Sequence, residues 1–154
     1  MHPTSDTIFA YGMNTCELGL CDVRVSGSTG VLGFGMETRS MKNFFTDMVA
    51  SVGGIDFLKN GRCIISREYL NIKVWDMANT KQPIQNICVQ DTLKSKLVNL
   101  FENDNIFDKF SIASSPDSST VLTGNYNNNF HLIDVNEGRN IQYELSFHNK
   151  TVNR

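Results

Sequence analysis

The chain's four cysteines, Cys16, Cys21, Cys63 and Cys88, form no CxxC pair, and their scatter makes no disulfide framework. A small crosslinked secreted scaffold is thereby excluded, and reduced thiols in the cytosol or nucleus are expected. No run of about 18 apolar residues occurs, so no spanning helix is expected. The opening MHPTSDTIFAYG lacks a basic segment followed by an apolar one, so it does not look like a secretory signal. A formal net charge of −2 gives no global reason to expect nucleic acid or an anionic membrane as a partner. Catalytic signatures are missing as well. His2, His131 and His148 lie in unrelated contexts, and no HxH, HExxH or Cys/His cluster has metal-ligand spacing. There is no GxSxG, P-loop or GxGxxG, and Gly33-Phe34-Gly35 is only a loop fragment. Glu102 and Asp104 imitate a carboxylate pair, but nothing beside them supplies a sugar or water site. The expectation is a protein that is not an enzyme, with no metal and no cofactor.

What is present is an ordinary globular balance: 154 residues, 40% hydrophobic and 19% charged, enough for one domain with a core. Most of the chain reads as short strands with turn signals between them. Thr7–Gly12 and Glu17–Arg24 are the first two, and Thr29–Phe34 is a third within a Gly-rich and Ser-rich stretch. Ile55–Leu58, Cys63–Glu68, Asn71–Met77 and Pro83–Val89 follow, with Asn60-Gly61 as a strong turn. Phe107–Ala113, Val121–Tyr126, Asn129–Val135 and Arg139–Ser146 complete the series.

Two segments change period. Phe44, Phe45, Met48, Val49 and Val52 fall at helical spacing in Asn43–Val52, with Asn43 as N-cap and Gly53 as stop. Thr92–Glu102 carries Leu93, Leu97, Leu100 and Phe101 on one face, and Asp91 can cap it. The junction Leu97–Phe110, LVNLFENDNIFDKF, runs from this helix through a charged turn into a strand. Junctions of this kind lie on loops, where binding residues concentrate.

Spacing carries the main clue to architecture. Strand ends read CDVR (Asp22), VWDM (Asp76) and LIDV (Asp134), recurring after roughly 54 and 58 residues. Gly12, Arg67 and Gly124 each stand about ten residues before the corresponding Asp. This pattern predicts an all-β, partial WD-repeat β-propeller with short helices in the blade-connecting loops. Its blades are an incomplete one over residues 1–42 and complete ones over 43–91 and 92–147, with 148–154 as a tail. Both helices then emerge on one face, where Phe44, Phe45, Phe101 and Phe107 converge. The three Asp residues bond the tight turns between strands, and Trp75 serves packing.

The run SKLVNLFENDNIFDKF (Ser95–Phe110) closely resembles the WD-repeat B-type regulatory subunits of protein phosphatase 2A, the 55 kDa class. The HP start with its TIFAY strand, NFFTDMVASVGGIDF with REYLNIKVWDM, and LTGNYNNNF resemble the same family, in order and with similar spacing. The resemblance implies about three blades of a seven-bladed propeller, without the early blades and hairpin arm that grips the scaffold. It implies a heterotrimer with a HEAT-repeat scaffold subunit and a catalytic subunit, and a face that receives phosphoprotein substrates. The recruiting residues it implies are Phe44 and Phe45 from NFF, and Phe101, Asp104, Phe107 and Lys109 from FENDNIFDK. Phe101 stands where the family usually has Tyr, which keeps the stacking surface and loses a hydroxyl. The loop Val25–Lys42 departs from the family by being Gly-rich and short of acidic residues.

Pattern alone reads several of these residues differently. Phe101 and Phe107 are then core residues at a helix end and a strand start. Asp104 caps a turn, or pairs with a basic residue of a substrate. Lys109 is a solvated strand charge. A generic WD-repeat interaction scaffold, or a non-functional fragment, with no phosphatase role is the alternative reading.

Overall fold

The computed structural model describes residues 1–13, 17–25, 32–34, 44–126 and 128–144, with the side chains of residues 32–34, 44, 46 and 47 set aside. The expected cap Asn43, the loop residues 26–31 and 35–43, Cys16, His148 and the tail 148–154 lie outside the described residues.

Three antiparallel sheets follow one another along the chain. The first holds β1 (Ile8–Gly12), β2 (Leu18–Asp22) and β3 (Leu32–Phe34). The second runs β4 (Gly54–Phe57), β5 (Cys63–Arg67), β6 (Asn71–Asp76) and β7 (Gln85–Cys88) in simple meander order. The third repeats that order with β8 (Ile112–Ser114), β9 (Thr120–Gly124), β10 (Asn129–Asp134) and β11 (Asn140–Glu144). β1 lies against β4, and β4 against β8. Asp56 of β4 ties that last pair, accepting the Ser114 amide at 2.8 Å and its hydroxyl at 2.7 Å. The result is the blade-after-blade arrangement of a partial propeller.

The repeat is visible in register. Gly12, Arg67 and Gly124 end β1, β5 and β9, while Asp22, Asp76 and Asp134 end β2, β6 and β10. Each Asp accepts a backbone N–H two residues on: Arg24 at 3.0 Å, Ala78 at 2.8 Å and Asn136 at 2.8 Å. These carboxylates close turns, as expected, because a short polar side chain can replace a backbone acceptor there. The described strands of the first sheet therefore match the second, third and fourth strands of the others.

Strand sequence follows coverage. β5 is buried on both faces, and its run Ile64-Ile65 does not alternate, because a sheet packs on either side of it. β9 alternates, with Val121 and Thr123 buried and Leu122 outward. Ile8, Ala10, Leu18 and Leu20 pack with Ile64 and Trp75 between the first two sheets. Ile65, Ile72 and Val74 pack with Val121, Ile133 and Val135 between the next two. Trp75 donates its indole N–H to Ser66 Oγ at 2.9 Å, so the packing residue is also satisfied.

Two local expectations are corrected. Asp91–Lys96 forms a 3-10 turn, and only α2 (Leu97–Glu102) is α-helical. Asp91 is the first residue of that turn, with no side-chain cap bond to its start. The last strand group begins at Ile112 instead of Phe107, because Asn105–Phe107 closes a further 3-10 turn. The other helix, α1 (Phe44–Val49), stops before Gly53.

One buried charge joins the second and third sheets. Arg67 is fully buried and bonds the carbonyls of Glu68, Tyr69 (3.1 Å) and Asn71 (3.3 Å) and Thr123 Oγ1 (3.2 Å). Its guanidinium also lies 5.2 Å from the Phe110 ring centre. Burial pulls its pKa down to about 10, which leaves it charged at neutral pH. Beside it, the Gln90 and Asn125 amides touch at 2.6 Å. Asn125 lies 2.7 Å from His131 Nε2, and Asn140 Oδ1 lies 2.8 Å from His131 Nδ1.

Replacing Arg67 with Ala leaves these buried acceptors unpaired. A loss of about 3–5 kcal/mol is expected in urea denaturation. His131 adds a pH dependence: burial, reinforced by the Arg67 charge, holds its pKa below the usual imidazole value. The folded value lies below the unfolded value of about 6.5, so the unfolded chain takes up the proton first. Stability is full above that unfolded value and is lost as pH falls from it towards the folded value. Urea midpoints should drop between pH 7.5 and pH 5.5, and the drop should shrink in His131→Gln.

Candidate docking site

The two half-sites predicted from sequence meet above the Arg67 turn. The Tyr69 amide donates to the Val49 carbonyl at 2.9 Å, fastening the end of α1 to the β5–β6 turn. The Gly53 amide donates to the Arg67 carbonyl at 2.7 Å. A Cβ on Gly54 would stand 3.2 Å from the Phe110 carbonyl oxygen, so glycine here lets the two blade-leading segments approach.

The second half-site is a folded corner. Asp104 adopts a left-handed conformation, φ 60°, which Asp tolerates better than most residues. Its amide donates to the Phe101 carbonyl at 3.1 Å, and its own carbonyl accepts from Phe107 at 3.3 Å. Ile106, 1% exposed, pins the corner and leaves its neighbours Asn105 and Phe107 outside.

Of the sequence-predicted residues, three aromatics come together. Phe45, half-buried on α1, meets Phe101 edge to face at 5.9 Å between ring centres. Phe101, half-buried at the end of α2, lies 6.2 Å from Phe107. Phe107 is 52% exposed and forms the outer end of the row. Phe44 opens α1, and its side chain lies outside the described residues. Asp104 is exposed, and its carboxylate makes no hydrogen bond or ion pair with a described residue. Lys109 is held by a hydrogen bond from its ammonium to Ser51 Oγ, across from the α1 segment. Partial burial pulls the Lys109 pKa down.

Sequence reasoning missed the residue beneath this corner. The Tyr126 hydroxyl lies 2.7 Å from Asp108 Oδ2, 2.9 Å from the Asn105 carbonyl and 3.0 Å from the Tyr69 hydroxyl. Tyr126 has one proton to give and gives it to these acceptors, leaving Tyr69 to donate to Tyr126. Burial, then the hydrogen bond donated to Asp108, pushes the Tyr126 phenol far above its ordinary range. Its ring meets Phe110 at 5.1 Å, nearly perpendicular. The one signal for it was its place in LTGNYNNNF, a segment carrying the family resemblance.

Chemically the arrangement offers contact area, an open carboxylate and a tethered ammonium. Among the described residues no group of His, Cys, Asp and Glu could hold a metal ion. The described cysteines Cys21, Cys63 and Cys88 carry free thiols.

Successive meander sheets with turn-closing Asp residues define a partial β-propeller of the WD-repeat class. A solved chain in the crystal structure of the mitotic checkpoint complex agrees in fold alone, at TM-score 0.59 and 13% identity over 90% of this chain and 37% of that one. No protein-family model matches the sequence. Curated relatives are much closer. The gamma isoforms of the B-type 55 kDa regulatory subunit of serine/threonine-protein phosphatase 2A, from Homo sapiens and Oryctolagus cuniculus, are each 38% identical over 148 residues. That match covers 94% of this chain and 33% of each relative. The corresponding beta isoform of Carassius auratus is 36% identical over 151 residues, covering 96% of this chain and 34% of the relative. The chain is a homologue of these 55 kDa B-type regulatory subunits and spans about a third of their length. Its relatives are named as regulatory subunits of the phosphatase, not as its catalytic part.

Tyr126→Phe removes the hydroxyl and keeps the ring. About 1–2 kcal/mol of local protection should disappear from the Asn105–Asp108 amides in hydrogen exchange, with the β5 and β6 amides unchanged.

Proposed function

We propose that this chain recruits phosphoprotein substrates for a serine/threonine phosphatase, through the surface formed by Phe44, Phe45, Phe101, Asp104, Phe107 and Lys109. In this role it directs the specificity of a holoenzyme that also contains a HEAT-repeat scaffold subunit and a catalytic subunit. The place of action is the cytosol or the nucleus. The observation that carries the proposal is the Phe45–Phe101–Phe107 row, open to solvent at Phe107. Homology to named phosphatase regulatory subunits supports it.

The physical roles divide by chemistry. The aromatic row supplies apolar area with two rotatable angles per ring, so little conformational freedom is lost on binding. Asp104 takes a basic residue of the incoming protein. Lys109 is already oriented by Ser51 and offers an ammonium to a substrate carbonyl or carboxylate.

Phe101→Ala with Phe107→Ala should weaken substrate capture by at least about 2 kcal/mol, roughly thirty-fold in affinity, with circular dichroism unchanged. The full gene product, expressed and immobilised, should also retain the scaffold and catalytic subunits of the phosphatase. Full substrate capture by the double variant would remove the aromatic row from the mechanism. Clean pulldowns that recover neither phosphatase subunit would overturn the regulatory role.

A further inference from the structure

The joint that Arg67 and Thr123 close between the second and third sheets opens again further out. A cavity of about 340 Å³ is walled on one side by Cys88, Val89 and the Asp91–Leu93 turn that follows β7. Asn125, Tyr126, Asn129 and Gln142 of the third sheet form the other side. Its size sits at the lower end of ligand pockets, which run from about 300 to 1,000 Å³.

Strand register explains why the far wall is lined with carboxamides. Asn129 stands two residues before His131 on β10, and Gln142 pairs with His131 across to β11. All three therefore share the face turned to the second sheet. Aligning β6 and β10 on Asp76 and Asp134 matches Asn71 with Asn129 and Lys73 with His131. In the second sheet this set is closed on itself. Glu68 takes the Lys73 ammonium at 2.6 Å and the Asn71 side chain as well. In the third sheet Asn125 stands in the place of Glu68, and it is already engaged by Gln90, His131 and the Tyr126 amide. The Asn129 and Gln142 side-chain amides make no hydrogen bond with a described residue.

Charge narrows what can enter. Among the lining residues Asp91 alone is ionised at neutral pH, and Lys94 already pairs with it at 2.7 Å. An ammonium or a carboxylate entering here would lose water without meeting a free counter-charge. Two free carboxamides ask for a group that both donates and accepts, and another carboxamide does so in one plane. Val89 and Leu93 give its methylene stem an apolar wall.

We infer that this cavity takes the uncharged carboxamide side chain, glutamine or asparagine, of a protein segment docked on the aromatic row. The inference rests on the recruiting role proposed above for that row. Tyr126 joins the two places: its ring walls the cavity, and its hydroxyl meets the Asn105 carbonyl and Asp108 beneath the Phe107 corner. A segment crossing Tyr126 from Phe107 reaches the cavity, and the side chain it places there fixes its register.

The probe is N-acetylglutamine methylamide, titrated into the full gene product while NMR follows the side-chain NH2 signals of Asn129 and Gln142. Both signals should shift and saturate in the millimolar range. Capped glutamate, lysine and leucine should bind at least about fivefold more weakly. Gln142→Leu, at an exposed strand position, should weaken the probe about tenfold with circular dichroism unchanged. Phe101→Ala with Phe107→Ala should leave probe binding as it is, and saturating probe should lower substrate capture by the wild type about tenfold. No shift, or an equal response to capped glutamate and lysine, overturns the site. Probe binding that leaves capture untouched overturns its link to the docked segment. Full capture by the aromatic double variant overturns the recruiting role and the docked segment with it, while the titration still decides the cavity.

Discussion

A charged guanidinium with no access to water has to find its acceptors inside the protein, and Arg67 finds them by folding the backbone around itself. Carbonyls of Glu68, Tyr69 and Asn71 curl towards it, so the β5–β6 turn is held from within. Thr123 of the neighbouring sheet completes the set, and Phe110 covers the open face. The same turn then carries α1 through Tyr69 and Val49, and reaches the Asn105–Asp108 corner through Tyr69 and Tyr126. Removing the ion would disturb strand pairing, sheet packing and the position of the aromatic row together.

Such a residue is hard to recognise in a sequence. Arg is mostly exposed, and at Arg67 it occupies a position that is Gly in the other two repeats. Strands were more readable. Turn signals and the Asp spacing located them to within a few residues, because the same local physics recurs in each sheet. The helical segment after Asp91 was less so: Leu93, Leu97, Leu100 and Phe101 lie on one half-buried side, but that spacing does not separate a 3-10 start from an α-helix. Ile106 passed unnoticed because a single pinning residue inside a turn has no period. Its burial explains why Phe107, next to it, is left outside. Phe45, Phe101 and Phe107 converge because their loops leave adjacent blades on one face, a relation that the repeat made readable. Tyr126 acts through a hydroxyl delivered from a distant turn, which no one-dimensional pattern encodes.

The site and the framework divide their labour by burial. Polar groups that carry structure are enclosed and paired: Arg67 with carbonyls, His131 between Asn125 and Asn140, Asp56 with Ser114. At the corner the exposed groups are the edge of Phe107 and the carboxylate of Asp104. In this arrangement, among the described residues, no group of His, Cys, Asp and Glu could hold a metal ion. Recognition suits it because contact area and placement are what a rigid loop on a rigid scaffold supplies.

The hydroxyl pair of Tyr69 and Tyr126 bridges two sheets directly below the aromatic row. The docking corner is thus a strap laid across a joint instead of an appendage of one blade. A ligand clasping Phe45 on one side and Phe107 on the other would act as a splint, resisting any opening between the second and third sheets. Load on such a ligand would pass through that strap to the joint between the sheets at Arg67.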